Sequence, residues 1–170
     1  MVQNVISAFL LDAEFYSDVA EDRSLLRQAT AVVVIANLVA GIGAGFATVT
    51  HPLIGAIAGV ATGVVGWLVW SGVALVVGTR ILGGDSDLPE MLRVIGFAYA
   101  PLAIGVVPWL GFVGAAWVLF GAVVAIRESM GFSTKRAVAT TAVGWAAWLG
   151  IAVAINAVLG LDLLLPWRIT

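Results

Sequence analysis

The sequence predicts an all-α polytopic membrane helix bundle with five transmembrane helices, preceded by an N-terminal amphipathic interfacial helix. Three observations carry this. Of the 170 residues, 62% are hydrophobic and 11% charged, with mean hydropathy +1.10; a soluble domain has ~45–50% apolar and ~25% charged residues. The charges are also clustered. No Asp, Glu, Lys or Arg occurs in 28–79, 94–126 or 137–161, runs of 52, 33 and 25 residues, each longer than the ~20 that cross a bilayer. Finally, the basic residues gather on one side only when these runs fold into five crossings.

The elements follow in chain order. Residues 1–28 read as an amphipathic cytoplasmic or interfacial segment. Val2, Val5, Ile6, Phe9, Ala13 and Tyr16 keep helical spacing, with Asp12, Glu14 and Asp18 mostly off that stripe. Such a helix lies in the headgroup plane or docks on the protein's own helices, and its acidity gives anionic lipid little pull. No Lys or Arg occurs in 1–22, so the basic start of a signal peptide is missing and the first span is expected to be retained. The 52-residue run would make a helix ~78 Å long, more than twice a ~30 Å hydrocarbon core. It folds back at Thr48-Val49-Thr50-His51-Pro52, because Pro cannot continue a helix. That gives spans at about 29–49 and 53–77. The turn-rich stretch from Gly83 to Glu90 precedes the third span. The run 94–126 breaks at Pro108-Trp109-Leu110-Gly111, giving spans at about 92–107 and 110–126. The last span is about 137–161, inside a transmembrane domain of 29–165 with an external tail of 166–170.

Basic residues should collect on the cytoplasmic side of short loops. With the N-terminus inside, Arg23, Arg27, Arg80, Arg93, Arg127, Lys135 and Arg136 are cytoplasmic and only Arg168 is external, a split of 7 to 1. Treating 94–126 as one crossing reduces it to 5 to 3. The five-span reading therefore gives an integral membrane protein with its N-terminus cytoplasmic and its C-terminus external.

Composition excludes several chemistries. With no cysteine there is no disulfide, thiolate site or thiol nucleophile, and a single His51 excludes a two-His metal motif. A net charge of −2 argues against nucleic acid as a partner. No nucleotide-binding loop, Ser/His/Asp constellation or mid-membrane ionisable residue stands out, and proton-coupled transporters normally keep such residues. No enzyme activity, cofactor or metal is expected.

Membrane helices associate through close packing of small residues. Gly55, Gly59 and Gly63 form one ridge at four-residue intervals; Gly41 and Gly45 repeat the spacing, and Gly114 and Gly121 mark the fourth span. These are expected to pack the bundle or to face a second copy or a membrane protein partner. Of seven tryptophans, Trp109 and Trp167 fall where an aromatic belt belongs, and Trp67, Trp70, Trp117, Trp145 and Trp148 lie deeper. Asn37 and Asn156 read as helix-to-helix glue. Pro101 deprives the Phe97 carbonyl of its helical partner, so the Tyr99–Pro101 stretch is expected to bend the third span and face the interior.

The order of features resembles a known family. Phe9-Leu10-Leu11-Asp12-Ala13-Glu14-Phe15-Tyr16 precedes the first span and Gly83-Gly84 follows the second. Then come Gly96-Phe97-Ala98-Tyr99-Ala100-Pro101-Leu102, Pro108, and Arg127-Glu128-Ser129-Met130-Gly131-Phe132. Over about 9–160 the chain looks like a prokaryotic member of the Yip (Ypt-interacting protein) family. The resemblance implies an N-in, five-helix bundle. Eukaryotic relatives are associated with Rab-type GTPases, vesicle traffic and membrane shaping; their Asp-Leu-Tyr-Gly-Pro-type motif is missing here. The sequence thus reads as a non-enzymatic membrane-organising or protein-interaction protein. Its rivals are an accessory subunit of a larger energy-converting membrane complex and a small-molecule or lipid carrier or channel.

Overall fold

The computed structural model describes residues 1–47, 52–107 and 109–159, and among them every regular element is helical. Seven α-helices follow in order: α1 Val2–Phe9, α2 Ala13–Glu21, α3 Leu26–Ala47, α4 Pro52–Val76, α5 Leu88–Ala98, α6 Gly111–Met130 and α7 Thr134–Leu159. Four helical stretches are long and apolar enough to cross a bilayer: Arg23–Phe46, Pro52–Ile81, Leu88–Val106 and Gly111–Met130, of 24, 30, 19 and 20 residues. The expected turn at 48–51 with His51, Pro108, and the tail with Trp167 and Arg168 lie outside the described residues, as does the side chain of Asn156.

The local chemistry explains where these helices start and stop. Residues 1–28 form two helices and a 3-10 turn (Arg23–Leu25) rather than one continuous helix. Leu11 takes φ 59°, and the Asp12 carboxylate then accepts from the N–H groups of Glu14 at 3.1 Å and Phe15 at 3.4 Å. An Asp N-cap of this kind starts a new helix. Pro52 opens α4 at its first position, where a missing N–H costs nothing. The second span overruns its expected end near Val77 as a π-helical turn, Val77–Ile81. Asp87 caps α5 through the Glu90 N–H at 2.8 Å, four residues before the expected start of the third span. The fourth span continues to Met130, where Gly131 at φ 61° ends α6 in the left-handed conformation that glycine tolerates.

The third span is two helices end to end. The α-helix stops at Ala98, and Ala100–Val106 continues as 3-10 helix. With no N–H on Pro101, the chain tightens to three-residue bonds, Tyr99 N–H to the Gly96 carbonyl at 3.2 Å and Leu102 N–H to the Tyr99 carbonyl at 2.9 Å. This broken span is the centre of the molecule: Met91, Val94, Ile95, Phe97 and Ala98 are wholly buried. α3, α4 and α6 pack around it, and α2 covers the α5–α6 side. Large apolar side chains such as Ile35, Phe46, Ile57, Leu68, Phe112 and Phe120 point outward, as the surface of a bundle in hydrocarbon requires.

Candidate functional site

The residues singled out in the sequence meet in the packed interior. α3 and α4 run against one another at backbone distance. A Cβ on Gly59 would stand 2.7 Å from the Asn37 carbonyl oxygen and 3.0 Å from the Gly41 Cα. On Gly41 it would strike the Gly55 carbonyl, and on Gly55 it would lie 3.0 Å from the Gly45 Cα. Gly63 makes room for the Asn37 side chain, whose amide donates to the Val33 carbonyl at 2.8 Å. Gly41, Gly45, Gly55, Gly59 and Gly63 thus line one seam inside the chain.

Tyr99 is 6% exposed and Pro101 is fully buried. The Tyr99 ring meets Trp70 edge-on at 6.1 Å. Gly114 fits over the Pro101 carbonyl, 2.9 Å from where its Cβ would be, and a Cβ on Gly121 would stand 3.3 Å from both the Ala98 Cβ and the Tyr16 hydroxyl. Both helices flanking the 3-10 stretch therefore reach it through glycine, Gly43 of α3 meeting Gly105 from the other side.

Several residues that matter here carried no distinguishing mark in the sequence. Gly66 and Gly144 receive the indoles of Trp148 and Trp70, and a Cβ on Gly96 would lie 2.9 Å from the Ala29 Cβ and 3.3 Å from the Trp67 Nε1. Trp67 donates to the Leu92 carbonyl at 3.0 Å. The buried Trp70 Nε1, Ser71 Oγ and Thr141 Oγ1 have no hydrogen-bond partner among the described residues.

Arg93 was counted only as a cytoplasmic charge, and it is 3% exposed. Its Nε donates to the Val19 carbonyl at 3.0 Å and its second guanidinium nitrogen to the Ala20 carbonyl. These are carbonyls of the last turn of α2, which lack helical partners and carry the negative end of the helix dipole. A cation buried this way is satisfied without a carboxylate. Beside it, the Ser24 hydroxyl and N–H, with Arg93 further off, hold the Asp22 carboxyl below the usual carboxylate range. The N-terminal helices are fixed further by Tyr16, whose hydroxyl donates to the Ala8 carbonyl at 3.4 Å, and by Trp117, whose Nε1 donates to the Phe9 carbonyl at 2.8 Å.

On the charged rim, the double glycine of 83–84 has a steric cause: Gly83 turns at φ 72°, and a Cβ on Gly84 would stand 2.6 Å from the Phe132 ring. Glu90 accepts from Ser129 at 2.5 Å, tying the start of α5 to the end of α6. Arg127 pairs with its neighbour Glu128 at 2.6 Å.

A bundle of long apolar helices, apolar outside and glycine-packed inside, defines an integral membrane protein. The family model of the Yip1 domain matches residues 7–156, and the chain belongs to that family. Among curated proteins and among solved structures, nothing matches the chain significantly.

Proposed function

We propose that the protein is a non-enzymatic, Yip-like organiser of a prokaryotic cytoplasmic membrane that works by holding or recruiting other membrane components. It crosses the membrane five times with its N-terminus cytoplasmic. The observation that carries the reading is the Yip1 domain match over 7–156 on a bundle whose small faces are filled by its own backbone. The fifth crossing is α7, 26 residues and ~39 Å long. The orientation is supported by the 7-to-1 distribution of basic residues. Gly41, Gly45, Gly55, Gly59, Gly63, Gly114 and Gly121, with Tyr99 and Pro101, act as packing positions in this reading, leaving the outer faces for lipid and for partners.

The test has two parts. Reporters fused after Ser133 should read cytoplasmic and those fused after Trp109 external; a cytoplasmic signal at Trp109 sinks the five-span topology. Purification of the full chain from native membranes in mild detergent should recover other membrane proteins in substoichiometric amounts. A fixed stoichiometric companion would favour the accessory-subunit reading, and a lone protein that moves a tracer across liposomes would favour a carrier or channel.

A further inference from the structure

The N-terminal helices pack against the uncharged parts of α5 and α6. We propose that residues 1–22 form a re-entrant hairpin whose turn reaches the middle of the bilayer, with the acidic edge of α2 lining a water-filled crevice open to the cytoplasm. This rests on the N-in, five-span reading above.

Two rulers give the depth. On α6 the charges end at Arg127 and the uncharged stretch runs back from Ile126 to Gly111. Trp117, whose Nε1 holds the Phe9 carbonyl and whose ring meets Phe9 at 6.1 Å, stands nine residues inside that boundary, ~13 Å at the helical rise. Half of a ~30 Å hydrocarbon core is ~15 Å. On α5, Phe15 meets Phe97 edge-on at 5.2 Å, beyond the last charge at Arg93, and the Tyr16 hydroxyl reaches Gly121 beside Ala98. α1 also touches the 3-10 stretch of the third span. Both ends of the hairpin sit at the charged rim: Asn4 donates to Gln28 at 3.0 Å, next to Arg27, and Arg93 grips the end of α2.

The hairpin's two edges differ in chemistry. Val2, Ile6 and Phe9 of α1 and Leu10 just after it are exposed and suit acyl chains. Asp12, Glu14 and Asp18 are exposed along α2, and none forms an ion pair among the described residues. Charged side chains inside the membrane face a bundle interior or a water-filled cavity. Irregular backbone at that depth, such as the turn at Leu11, is likewise tolerated only within protein or beside water. Water satisfies both requirements without matched cations from a partner.

The chain has no native cysteine, so single cysteines can be read cleanly in the full-length protein. In inverted membrane vesicles, Asp12→Cys and Glu14→Cys should react with a charged, membrane-impermeant maleimide at least about tenfold faster than Phe120→Cys. Phe120 is an exposed residue of α6 inside the same uncharged stretch, one turn nearer its charged end than Trp117. A bimane on Leu10→Cys should be quenched more by mid-chain doxyl lipid than by headgroup spin label. Asp12→Cys as unreactive as Phe120→Cys overturns the crevice. Stronger headgroup quenching of Leu10→Cys overturns the re-entrant depth. Labelling only from the opposite membrane face overturns the N-in orientation and with it the cytoplasmic opening.

Discussion

Helix α4 is held by two seams that use glycine for opposite purposes. Along its first half, Gly55 and Gly59 bring its backbone against that of α3, and no side chain stands between them. Along its second half, glycines are sockets for indoles: Trp148 of α7 fills the space at Gly66, and Trp70 of α4 fills the space at Gly144. The first seam cannot yield without moving a helix. The second can yield wherever its indole has somewhere to go. In lipid, where helices gain little from apolar burial against one another, close approach and shape carry association, so the two seams should respond differently to added volume.

The largest difference is expected in the backbone seam. Gly59→Leu drives a branched side chain toward the Asn37 carbonyl and the Gly41 Cα, 2.7 and 3.0 Å from the Cβ position. Overpacking of this kind costs ~1–3 kcal/mol or more, roughly 2–10 °C in Tm for a chain of this size. Val60→Leu, one residue along on a half-buried position, should change Tm by less than about 1 kcal/mol equivalent. Thermal unfolding in detergent compares them. Equal losses from the two would mean that α3 and α4 do not touch at glycine.

The indole seam should split in two. Trp70 is 2% exposed and hemmed by the Tyr99 ring at 6.1 Å, so Gly144→Ala, whose Cβ would lie 2.7 Å from the Trp70 Nε1, has no outlet. It should cost ~1–2 kcal/mol even after the helix-propensity gain of ~0.5–1 kcal/mol from Ala. Trp148 is only half-buried and can rotate toward lipid, so Gly66→Ala should lose under about 1 kcal/mol. Equal Tm shifts for Gly144→Ala and Gly66→Ala would show that both indoles are equally locked.

These contrasts also mark what was legible in the sequence. Uncharged runs and prolines pointed to long apolar helices, and four of them are long and apolar enough to cross a bilayer, because membrane crossing demands length and apolarity and little else. The four-residue glycine spacing of the first seam was visible because it repeats, as was the break at Pro101, whose missing N–H has a local consequence. The second seam was invisible: neither Gly66 nor Gly144 has a glycine four residues away on either side, and which indole enters which gap is set by how α4 and α7 face one another. Arg93 was hidden for a related reason. Its partners are the carbonyls of Val19 and Ala20, backbone groups that every residue has. The split of 1–28 could have been read from Asp12, whose carboxylate is a strong N-cap, but an apolar stripe running through it outweighed a single capping residue.

The last contrast separates two tryptophans on α4 that look equivalent by burial. Trp67 and Trp70 are 4% and 2% exposed, so replacing either with Phe removes a similar apolar area. Their polar ends differ. Trp67 donates to the Leu92 carbonyl at 3.0 Å, whereas the Trp70 Nε1 is buried without a partner among the described residues. Trp67→Phe therefore gives up a hydrogen bond worth ~0.5–1.5 kcal/mol, while Trp70→Phe removes a desolvated donor that costs ~1–3 kcal/mol to bury unmet. The two variants lose comparable packing, so Trp70→Phe should be the more stable in detergent by the sum of the two terms, ~1.5–4.5 kcal/mol, and near neutral against the parent. The comparison is internal to one helix, which cancels effects of detergent and of helix propensity. Equal losses would show that the Trp70 Nε1 is hydrogen-bonded after all, by a water or lipid oxygen reaching the second seam, and that this seam is wetter than the first.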